Sequence, residues 1–574
     1  MPVHAGVDAL QLPFSGHVPF GIALLNNLTM LDLSGNNFSG VITHEHLVGL
    51  ANLKVLDLSS NYLKVMVDPE WLPPFRLEYA YFSSCQLGPL FPTWLQSQVH
   101  LFKLDISRAF ISDMLPDWFS STFFNASTLD ISNNEISGML PTKLENMTNL
   151  RWLYLNSNQL TGPIPQFPVL LLSFDISDNN FSGSLPSNFG TPNIQYLNLA
   201  TNHITGPIPQ SICNFKTLIA LNLANNLFNG EFPLCPEPMR VKILILRNNR
   251  LSGKFPASLK TWSDLYILDL AWNKFSGRLP TWIGDFSGLQ ILQLSHNTFT
   301  GSIPSTITRL NGISQLNLAR NRFSGPLPRY LSNLTGMTRA QAPTPFGAFE
   351  YPMQISYGNV IVSISIYSTV HVNLSVITKG QERYYEDGAL YAMVSIDLSL
   401  NQLTGGIPEE IAFLDGVVNL NLSWNRLSGN IPRKIGAMQS LESLDLKENK
   451  LCGEIPQGMS DLSYLSMLDL SYNNLSGRIP SGGQLDTLYQ QNKFMYDGNI
   501  GLCGHPLLKN CSNDSEPKHD HERDEHGYKV LSFSFGLGVG YVVGLWMVFC
   551  TILFKKSWRI AYFQLIDKSF NNVY

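Results

Sequence analysis

A 24-residue period dominates this sequence and sets what the chain can fold into. In its clearest stretch, Asn401, Asn425, Asn449 and Asn473 follow one another at intervals of 24 residues. Each is preceded by the same pattern of leucines and followed two positions later by another leucine, then by Gly-x-Ile-Pro. A fixed period of this length indicates an array of equivalent structural units, because a single compact core imposes no such repetition.

The residue types within one unit indicate its local structure. Leu420 and Leu422 alternate with Asn421 and Ser423, as in a short strand that buries one face. One unit cannot bury its leucines alone, so stacked units share a continuous core and a parallel sheet. The asparagine amides can satisfy the backbone groups where the chain turns. The pattern predicts an α/β-type leucine-rich-repeat solenoid of short parallel strands with irregular or 3-10 outer turns.

The same register can be followed along most of the chain. Seventeen units align on one position, which is Cys85 in one unit, Ala109 in the next, and otherwise an asparagine: Asn36, Asn61, Asn134, Asn158, Asn179, Asn202, Asn226, Asn249, Asn273, Asn297, Asn321, Asn401, Asn425, Asn449 and Asn473. Cysteine and alanine lack the amide, so we expect the ladder to be weaker there. The sequence predicts repeats over residues 1–335, an insertion over 336–392, repeats over 393–480 and a C-terminal cap over 481–511.

An uncharged segment near the C-terminus predicts a membrane helix. Residues 530–554 contain no charged side chain, and this run exceeds the roughly 20 residues needed to cross a bilayer. Lys555, Lys556 and Arg559 follow directly, which places the tail in the cytosol by the positive-inside rule. We expect an acidic juxtamembrane linker over 512–529, a single transmembrane helix over 530–554, a cytoplasmic tail over 555–574, and repeats outside the plasma membrane.

The beginning of the sequence does not match that expectation. Residues 14–19 form the back half of a repeat whose strand half is missing. Residues 1–21 have neither a positively charged start nor the sustained apolar run of a signal peptide. Because an exported solenoid requires such a signal, we expect the N-terminus to be truncated.

Outward strand positions supply candidate ligand-binding residues. Aromatic and arginine side chains are frequent binding hot spots. The candidate ligand-binding residues at positions predicted to be exposed are Trp152, Tyr154, Tyr196, Trp272, His296, Arg320, Trp424 and Tyr472. Tyr266 also occupies such a position. The alternative is that single exposed aromatic residues are ordinary surface.

A column of aspartates at another outward position has two interpretations. Its members are Asp32, Asp57, Asp105, Asp130, Asp175, Asp269, Asp397, Asp445 and Asp469. The column resembles an acidic binding site, but it recurs along the whole array without any local concentration. The sequence therefore favours a role in the repeat scaffold.

The period breaks once, between Asn321 and Asn401. The inserted residues contain an alternating run over 360–377 that predicts strands. Insertions in repeat proteins form loops on one face, often the binding face. A spacer without a binding role is the alternative.

Cysteines and sequons fit an extracellular location. Cys213 and Cys235 fall on the outer sides of adjacent turns, and Cys503 and Cys511 enclose the segment after the last repeat, so two disulfides are predicted. Eleven N-x-Ser/Thr sequons are candidate glycosylation sites: Asn27, Asn37, Asn125, Asn146, Asn180, Asn333, Asn373, Asn421, Asn474, Asn510 and Asn513. Asparagine-rich repeats also generate sequons by chance.

The segments after the cap carry three further patterns. Histidines and acidic residues mix in the linker, but the spacing does not fit H-E-x-x-H, so a solvated linker is favoured over a metal site. Gly536, Gly540 and Gly544 share one face of the predicted membrane helix, where a second helix could approach closely, although glycine is common in such helices. Tyr562 and Leu565 have the Tyr-x-x-apolar form of an internalisation signal, which short tails also match by chance.

Composition and motifs narrow the class of function. The formal net charge is −5 and no basic field suggests nucleic acid. The tail is too short for a kinase domain and lacks its Gly-rich loop, H-R-D and D-F-G motifs. We expect neither an enzymatic activity nor a cofactor or resident metal.

Several motifs resemble those of one known family over nearly the whole chain. They are Trp71-Leu-Pro-Pro-Phe75, Ser84-Cys-Gln-Leu-Gly-Pro89, Thr378-Lys-Gly-Gln-Glu-Arg383, Gly498-Asn-Ile-Gly-Leu-Cys-Gly504 and Lys556-Ser-Trp-Arg559. The chain is similar to plant leucine-rich-repeat receptor-like proteins of the ethylene-inducing-xylanase-receptor type. The resemblance implies a cell-surface receptor for an extracellular protein, peptide or glycan elicitor that signals through adaptor and co-receptor kinases. A tethered non-signalling decoy, or a polygalacturonase-inhibitor-like binding protein, is the alternative.

Overall fold

The computed structural model describes residues 5–8, 14–189, 193–339, 349–357, 360–368, 373–378, 381–386 and 393–511. Within these residues, one parallel sheet gathers a short strand from each repeat. Its strands are Ala5–Asp8, Leu28–Asp32, Val55–Asp57, Tyr79–Tyr81, Lys103–Asp105, Thr128–Asp130, Trp152–Tyr154, Ser173–Asp175, Tyr196–Asn198, Ala220–Asn222, Ile243–Ile245, Ile267–Asp269, Ile291–Gln293, Gln315–Asn317, Ser395–Asp397, Asn419–Asn421, Ser443–Asp445 and Met467–Asp469. The central residue of each strand from Val55–Asp57 to the last is buried, which places these side chains in one continuous core. The expectation that the first repeat lacks its strand half is wrong, because Ala5–Asp8 pairs in parallel with Leu28–Asp32.

A second parallel sheet forms where the sequence predicted an irregular return path. Its strands begin just after the asparagine position: Ser137–Met139, Gln159–Gly162, Asn180–Ser184, His203–Pro207, Leu227–Glu231, Arg250–Lys254, Lys274–Arg278, Thr298–Gly301, Arg322–Pro326, Gln402–Gly405, Arg426–Gly429, Lys450–Gly453, Asn474–Arg478 and Gly501–Cys503. A smaller sheet continues it toward the N-terminus, with strands Ser15–His17, Asn37–Ile42 and Tyr62–Val65. The glycine of the recurrent Gly-x-Ile-Pro motif lies in or at the end of these strands with positive φ, as at Gly301 (79°), which explains why glycine recurs there.

Short helices complete most repeats on the outer side. The 3-10 helices are Phe20–Leu24, Thr93–Ser97, Leu144–Asn146, Gln210–Asn214, Ala257–Thr261, Thr281–Asp285, Ser305–Arg309, Leu331–Asn333, Thr335–Met337, Glu409–Phe413, Ile435–Ala437 and Gln457–Asp461. Three α-helices are described, His44–Leu47, Phe119–Thr122 and Gly483–Gln491. In many repeats the proline of the motif is the N-cap of the 3-10 helix, as Pro304 is, with the φ of −64° that its ring favours.

Most members of the asparagine ladder make four hydrogen bonds, two within their own turn and two to the preceding repeat. Asn273 donates its amide to the carbonyls of Leu246 (2.9 Å), Leu270 (3.2 Å) and Ala271 (3.1 Å). Its side-chain oxygen accepts the N–H of Leu251 at 3.0 Å. Buried backbone groups at the turn are thereby satisfied, as the sequence pattern requires.

The ladder extends one position further than the sequence analysis recognised. Asn499, in the cap, donates to Leu470 at 2.9 Å and accepts from Leu475 at 3.0 Å in the same geometry. At Cys85 the buried thiol donates to the carbonyl of Leu58 at 3.1 Å, and burial raises the thiol pKa to about 12. Ala109 provides no side-chain bond, so the ladder is interrupted between these repeats.

Disulfides link the two cysteine pairs that the sequence indicated. Cys213 and Cys235 are joined with a Cα–Cα distance of 5.2 Å, and Cys503 is joined to Cys511 at 5.1 Å. The second pair closes the cap beside the last strand of the second sheet. Among the described cysteines, Cys85 and Cys452 are free thiols.

Two antiparallel strand pairs make up the described part of the insertion. Phe349–Tyr357 pairs with Val360–Ser368, and Asn373–Thr378 pairs with Gln381–Glu386. Strands are therefore found in the alternating run, together with two partner strands that the analysis did not anticipate. The repeat packing continues past the predicted boundary at residue 336, because Met337 is fully buried and Arg339 donates its backbone N–H to Asp415 at 3.0 Å.

Several predicted features lie outside the described residues. They are the linker over 512–529, the membrane helix over 530–554, the tail, and with them Asn513, Gly536, Gly540, Gly544, Tyr562 and Leu565. In the described part of the chain, no helix has both the length and the apolar character needed to cross a membrane.

Candidate functional site

The large parallel sheet presents one face to the core and the other outward, and we call the outward face the strand face. In Ile267–Asp269, Leu268 points into the core while Ile267 and Asp269 lie on the strand face. Parallel register stacks equivalent positions from neighbouring repeats into columns, so Ile267 pairs with Ile291 in the next strand. Residues separated by about 24 positions in sequence therefore become direct neighbours.

All of the predicted ligand-binding residues lie on this face or at its margin, but they differ in exposure. Trp424 and Tyr472 are each 49% exposed and Trp272 is 41% exposed. Arg320 is exposed, while Tyr154 and His296 are half-buried. The expectation of exposure is wrong for Trp152 and Tyr196, which are each only 8% exposed. Tyr196 packs in a cluster with residues of neighbouring columns, and Trp152 lies between the strands on either side, which alternation along a single strand cannot reveal.

A row of residues with left-handed backbone borders the strand face. The residue immediately before each ladder position has φ near +55°, as in Trp272 (54°) and Tyr472 (55°). The N–H of Trp272 donates to the carbonyl of Ser295 in the next repeat at 2.9 Å, and the other repeats follow the same pattern. A left-handed conformation costs a non-glycine residue roughly 1–2 kcal/mol, and this bond between repeats helps to offset it.

The second half of this row carries large side chains, and we call it the edge row. Its members are Trp272, His296, Arg320, Leu400, Trp424, Glu448 and Tyr472. The Trp272 and His296 rings stack with centroids 3.5 Å apart and planes 11° apart. Lys447 lies 5.6 Å from the centre of the Tyr472 ring. Before Trp272 the row carries mainly small or polar residues, such as Ser157 and Asn225.

The aspartate column is part of the repeat scaffold. Asp130 accepts the backbone N–H of Ser132 at 3.0 Å and its hydroxyl at 2.7 Å, and the same pattern recurs at Asp105 with Ser107. These bonds close the turn after each strand. Burial, reinforced by neighbouring carboxylates, raises the pKa of Asp57, Asp130 and Asp445 to about 6.

Four neighbouring polar side chains on the strand face have no hydrogen-bond partner among the described residues. We call Ser127, Thr128, Trp152 and Ser173 the polar strip; the Ser and Thr hydroxyls and the Trp152 indole N–H are buried and unpaired. Thr128 and Ser173 flank Trp152 in register on either side. An unpaired buried donor or acceptor costs about 1–3 kcal/mol, so the presence of four within three adjacent repeats is a feature to be explained.

Charged groups lie beside the polar strip. Asp105 and Asp130 pair in register across adjacent strands, next to the half-buried Lys103. The Lys103 ammonium is 4.9 Å from the centre of the Tyr81 ring, and desolvation lowers the pKa of this lysine. Lys103 therefore lies beside the two carboxylates, and its positive charge favours the ionised form of Asp130. Sequence reasoning identified Trp152 but missed Ser127, Thr128 and Ser173, since small hydroxyl residues in a strand look like ordinary surface.

Candidate glycosylation sites also differ in accessibility. Seven sequon asparagines are exposed: Asn27, Asn37, Asn146, Asn180, Asn333, Asn474 and Asn510. Asn125 and Asn421 are half-buried, and the Asn421 side-chain oxygen accepts the Ser423 hydroxyl at 2.7 Å. A glycan on Asn421 would compete with a turn-closing bond, so the exposed sites are the better candidates. Only the backbone of Asn373 is described.

Family models cover slightly more than half of the chain. One model described as leucine-rich repeat matches residues 26–87, 99–160 and 264–323. A second model of the same description matches residues 170–191, 193–215, 240–262, 440–462 and 464–484. The chain belongs to the leucine-rich-repeat family.

Curated relatives of this leucine-rich-repeat chain include plant receptor-like proteins, in agreement with the resemblance seen in the motifs. Receptor-like protein EIX2 of Solanum lycopersicum is 41% identical over 148 residues, which are 26% of this chain and 14% of the relative. Receptor-like protein EIX1 of the same plant is 45% identical over 130 residues, 23% of this chain and 13% of the relative. The matched segments thus span about one seventh of each curated relative.

A solved structure supports the solenoid fold over a larger part of the chain. The Arabidopsis receptor kinase HAESA, in complex with the peptide hormone IDA and the co-receptor SERK1, aligns with a TM-score of 0.51 and 25% identity. The alignment covers 87% of this chain and 90% of that one. The leucine-rich-repeat solenoid of parallel strands predicted from the period is therefore confirmed.

Proposed function

We propose that this chain is a cell-surface receptor-like protein that binds an extracellular elicitor protein or peptide through its strand face. The observation that carries the proposal is the edge row, in which Trp272, Arg320, Trp424 and Tyr472 are exposed and alternate with half-buried members. Aromatic and arginine residues dominate the energetics of protein interfaces. Their fixed backbone lowers the entropy lost when a ligand binds.

The insertion begins and ends between two repeats that belong to the edge row. It separates the repeat of Arg320 from that of Leu400, and the Arg320 N–H still donates to Ser399 at 2.9 Å across the break. The edge row therefore continues past the insertion without interruption. We infer that the insertion and the edge row form one ligand-contacting region.

The proposed output is signalling through other proteins, with no catalysis by this chain. Adaptor and co-receptor kinases would associate with it at the plasma membrane, with the repeats outside and the tail in the cytosol. Support comes from the receptor-like relatives and from the co-receptor present in the HAESA complex. A non-signalling decoy or inhibitor would bind the same ligands without recruiting a kinase.

A paired substitution tests the role of the edge row. Trp424→Ala with Tyr472→Ala should abolish the oxidative response of plant cells that express the full chain and receive fungal culture filtrate as elicitor. Tyr464→Ala is the matched control, because Tyr464 is 65% exposed and belongs to the repeat of Tyr472 but lies away from the strand face. A normal response in the double variant would refute the assignment.

Kinase recruitment separates the receptor from the decoy. After filtrate treatment, the tagged parent chain should co-purify with a receptor kinase, and the double variant should not. Filtrate binding without any kinase recruitment would favour the decoy.

A further inference from the structure

We propose that the polar strip and the adjacent carboxylates of Asp105 and Asp130 bind an extended peptide segment of the ligand that carries an arginine or lysine side chain. This inference rests on the proposed function and specifies the chemistry of a second contact on the same face. The site lies several repeats before the edge row, so one ligand would have to extend along the array to reach both.

The buried unpaired atoms indicate what the strip can bind. The Trp152 indole N–H is a donor only, whereas the hydroxyls of Thr128 and Ser173 can donate or accept. A main chain offers alternating carbonyl acceptors and N–H donors, and so complements this mixture. Ser83 on the same face has a partner in Ser107 at 2.8 Å, and the unpaired buried oxygens of Gln290 and Asp397 lie in separate, distant repeats.

The two carboxylates favour a ligand that carries a positive charge. One oxygen of Asp105 is occupied by Ser107 and one oxygen of Asp130 by Ser132, which leaves the second oxygen of each available to another donor. Lys103 is the cation beside the pair, and its ammonium lies over the Tyr81 ring. A guanidinium can donate to two carboxylates at once and stays charged at every relevant pH.

Other ligand classes fit less well. An acidic segment would be repelled by the carboxylate pair. A neutral glycan could bond to the hydroxyls of the strip, but it would leave the two carboxylates without a cation. The charge complementarity therefore favours a cationic peptide.

The test uses two peptides that differ only in charge. The full chain, labelled with ¹⁵N in its tryptophan indoles, is titrated at pH 7.5 with acetyl-Ala-Ala-Arg-Ala-Ala-amide or with the same peptide containing neutral citrulline. The Trp152 indole signal is assigned from its loss in Trp152→Phe. We expect a saturable shift of this signal with the arginine peptide and about tenfold weaker binding of the citrulline peptide.

Matched variants locate the charge contact. Asp130→Asn keeps the shape of the side chain and should weaken arginine-peptide binding about tenfold, without affecting the citrulline peptide. Asp445→Asn is the control, since Asp445 occupies the same column in a distant repeat and its carboxyl pKa is also raised to about 6 by burial. Thermal unfolding of each variant checks that the repeats remain folded.

Each other outcome would overturn the proposal in a defined way. Equal binding of the two peptides, or equal effects of the two variants, would remove the charge contact. A shift produced by cellohexaose and not by the arginine peptide would make the strip a glycan site, and no shift with any probe would make it a hydrated part of the scaffold. The elicitor response reports separately on the proposed function, because the edge-row variants leave the strip intact.

Discussion

The polar strip and the edge row occupy the same sheet, yet they present their side chains in opposite ways. In the strip, Trp152 is 8% exposed and its polar atom is buried among neighbouring columns. In the edge row, Trp424 is 49% exposed on a left-handed residue at the margin of the sheet. The comparison shows that the position of a tryptophan within the repeat decides whether its side chain is buried in the sheet or exposed to solvent.

Removal of the insertion should have the largest effect, because it should affect the elicitor response but not peptide binding at the polar strip. Replacement of residues 340–392 by a short Gly-Ser linker should abolish the elicitor response while arginine-peptide binding at the strip is retained. The deletion begins after Arg339, because Met337 is buried in the repeat core. The measurements are the oxidative response and the indole titration; a normal response would reduce the insertion to a spacer.

Substitution of each tryptophan by alanine should lower the free energy of unfolding by different amounts in the two regions. Trp152→Ala should lower the free energy of unfolding of its repeats by about 3 kcal/mol, because a large buried side chain is lost. Trp424→Ala should lower it by less than about 1 kcal/mol, since half of that side chain is already in water. Chemical denaturation followed by circular dichroism measures both, and equal losses would contradict the contrast in burial.

Acidification should weaken binding at the strip. With the Asp130 pKa raised to about 6, the carboxylate is ionised at pH 7.5 and mostly protonated at pH 5. A cationic ligand prefers the ionised form, so its affinity should fall about tenfold as pH drops between these values. Lys103 and Asp105 on the neighbouring strand share this environment, and Asp130→Asn should remove most of the dependence. A pH-independent affinity of the parent would contradict the assignment.

The raised pKa of Asp130 has the opposite effect on folding. Because the folded carboxyl binds a proton more readily than the unfolded one, stability contributed by this group is greatest at low pH and declines as pH rises through about 6. Thermal unfolding between pH 4 and 7.5 should therefore show a steeper decline in the parent than in Asp130→Asn, because Asp57 and Asp445 contribute the same kind of slope to both proteins.

The smallest expected effect concerns single hydroxyls. Ser173→Ala removes an unpaired buried hydroxyl and should raise the free energy of unfolding by about 0.5–1 kcal/mol. Ser443→Ala should have no such benefit, because the Ser443 hydroxyl contacts the Met467 sulfur at 3.4 Å. Denaturation midpoints compare the two variants; a destabilised Ser173→Ala would show that the hydroxyl is satisfied in solution.

The sequence by itself determined the architecture of this protein, because every repeat must bury its leucines and satisfy the backbone groups at its turn in the same way. Leucine alternation and the asparagine column, read from residues such as Leu420 and Asn425, were sufficient to predict stacked parallel strands. A gap in the asparagine column marked the period break, and the positions of the cysteines on adjacent turns and after the last repeat predicted the two disulfides. The second sheet was missed, since its strands carry no alternation that distinguishes them from an irregular return path.

Only the tertiary structure decided which outward residues are accessible. Trp152 and Trp424 look equivalent as exposed aromatic residues in the sequence, but the lateral packing of columns buries one and the left-handed row exposes the other. The same packing places Ser127, Thr128 and Ser173 beside Trp152, although they are spread over some 46 positions of sequence. Such neighbours arise from inter-repeat register, a long-range property that the residues of a single repeat do not encode.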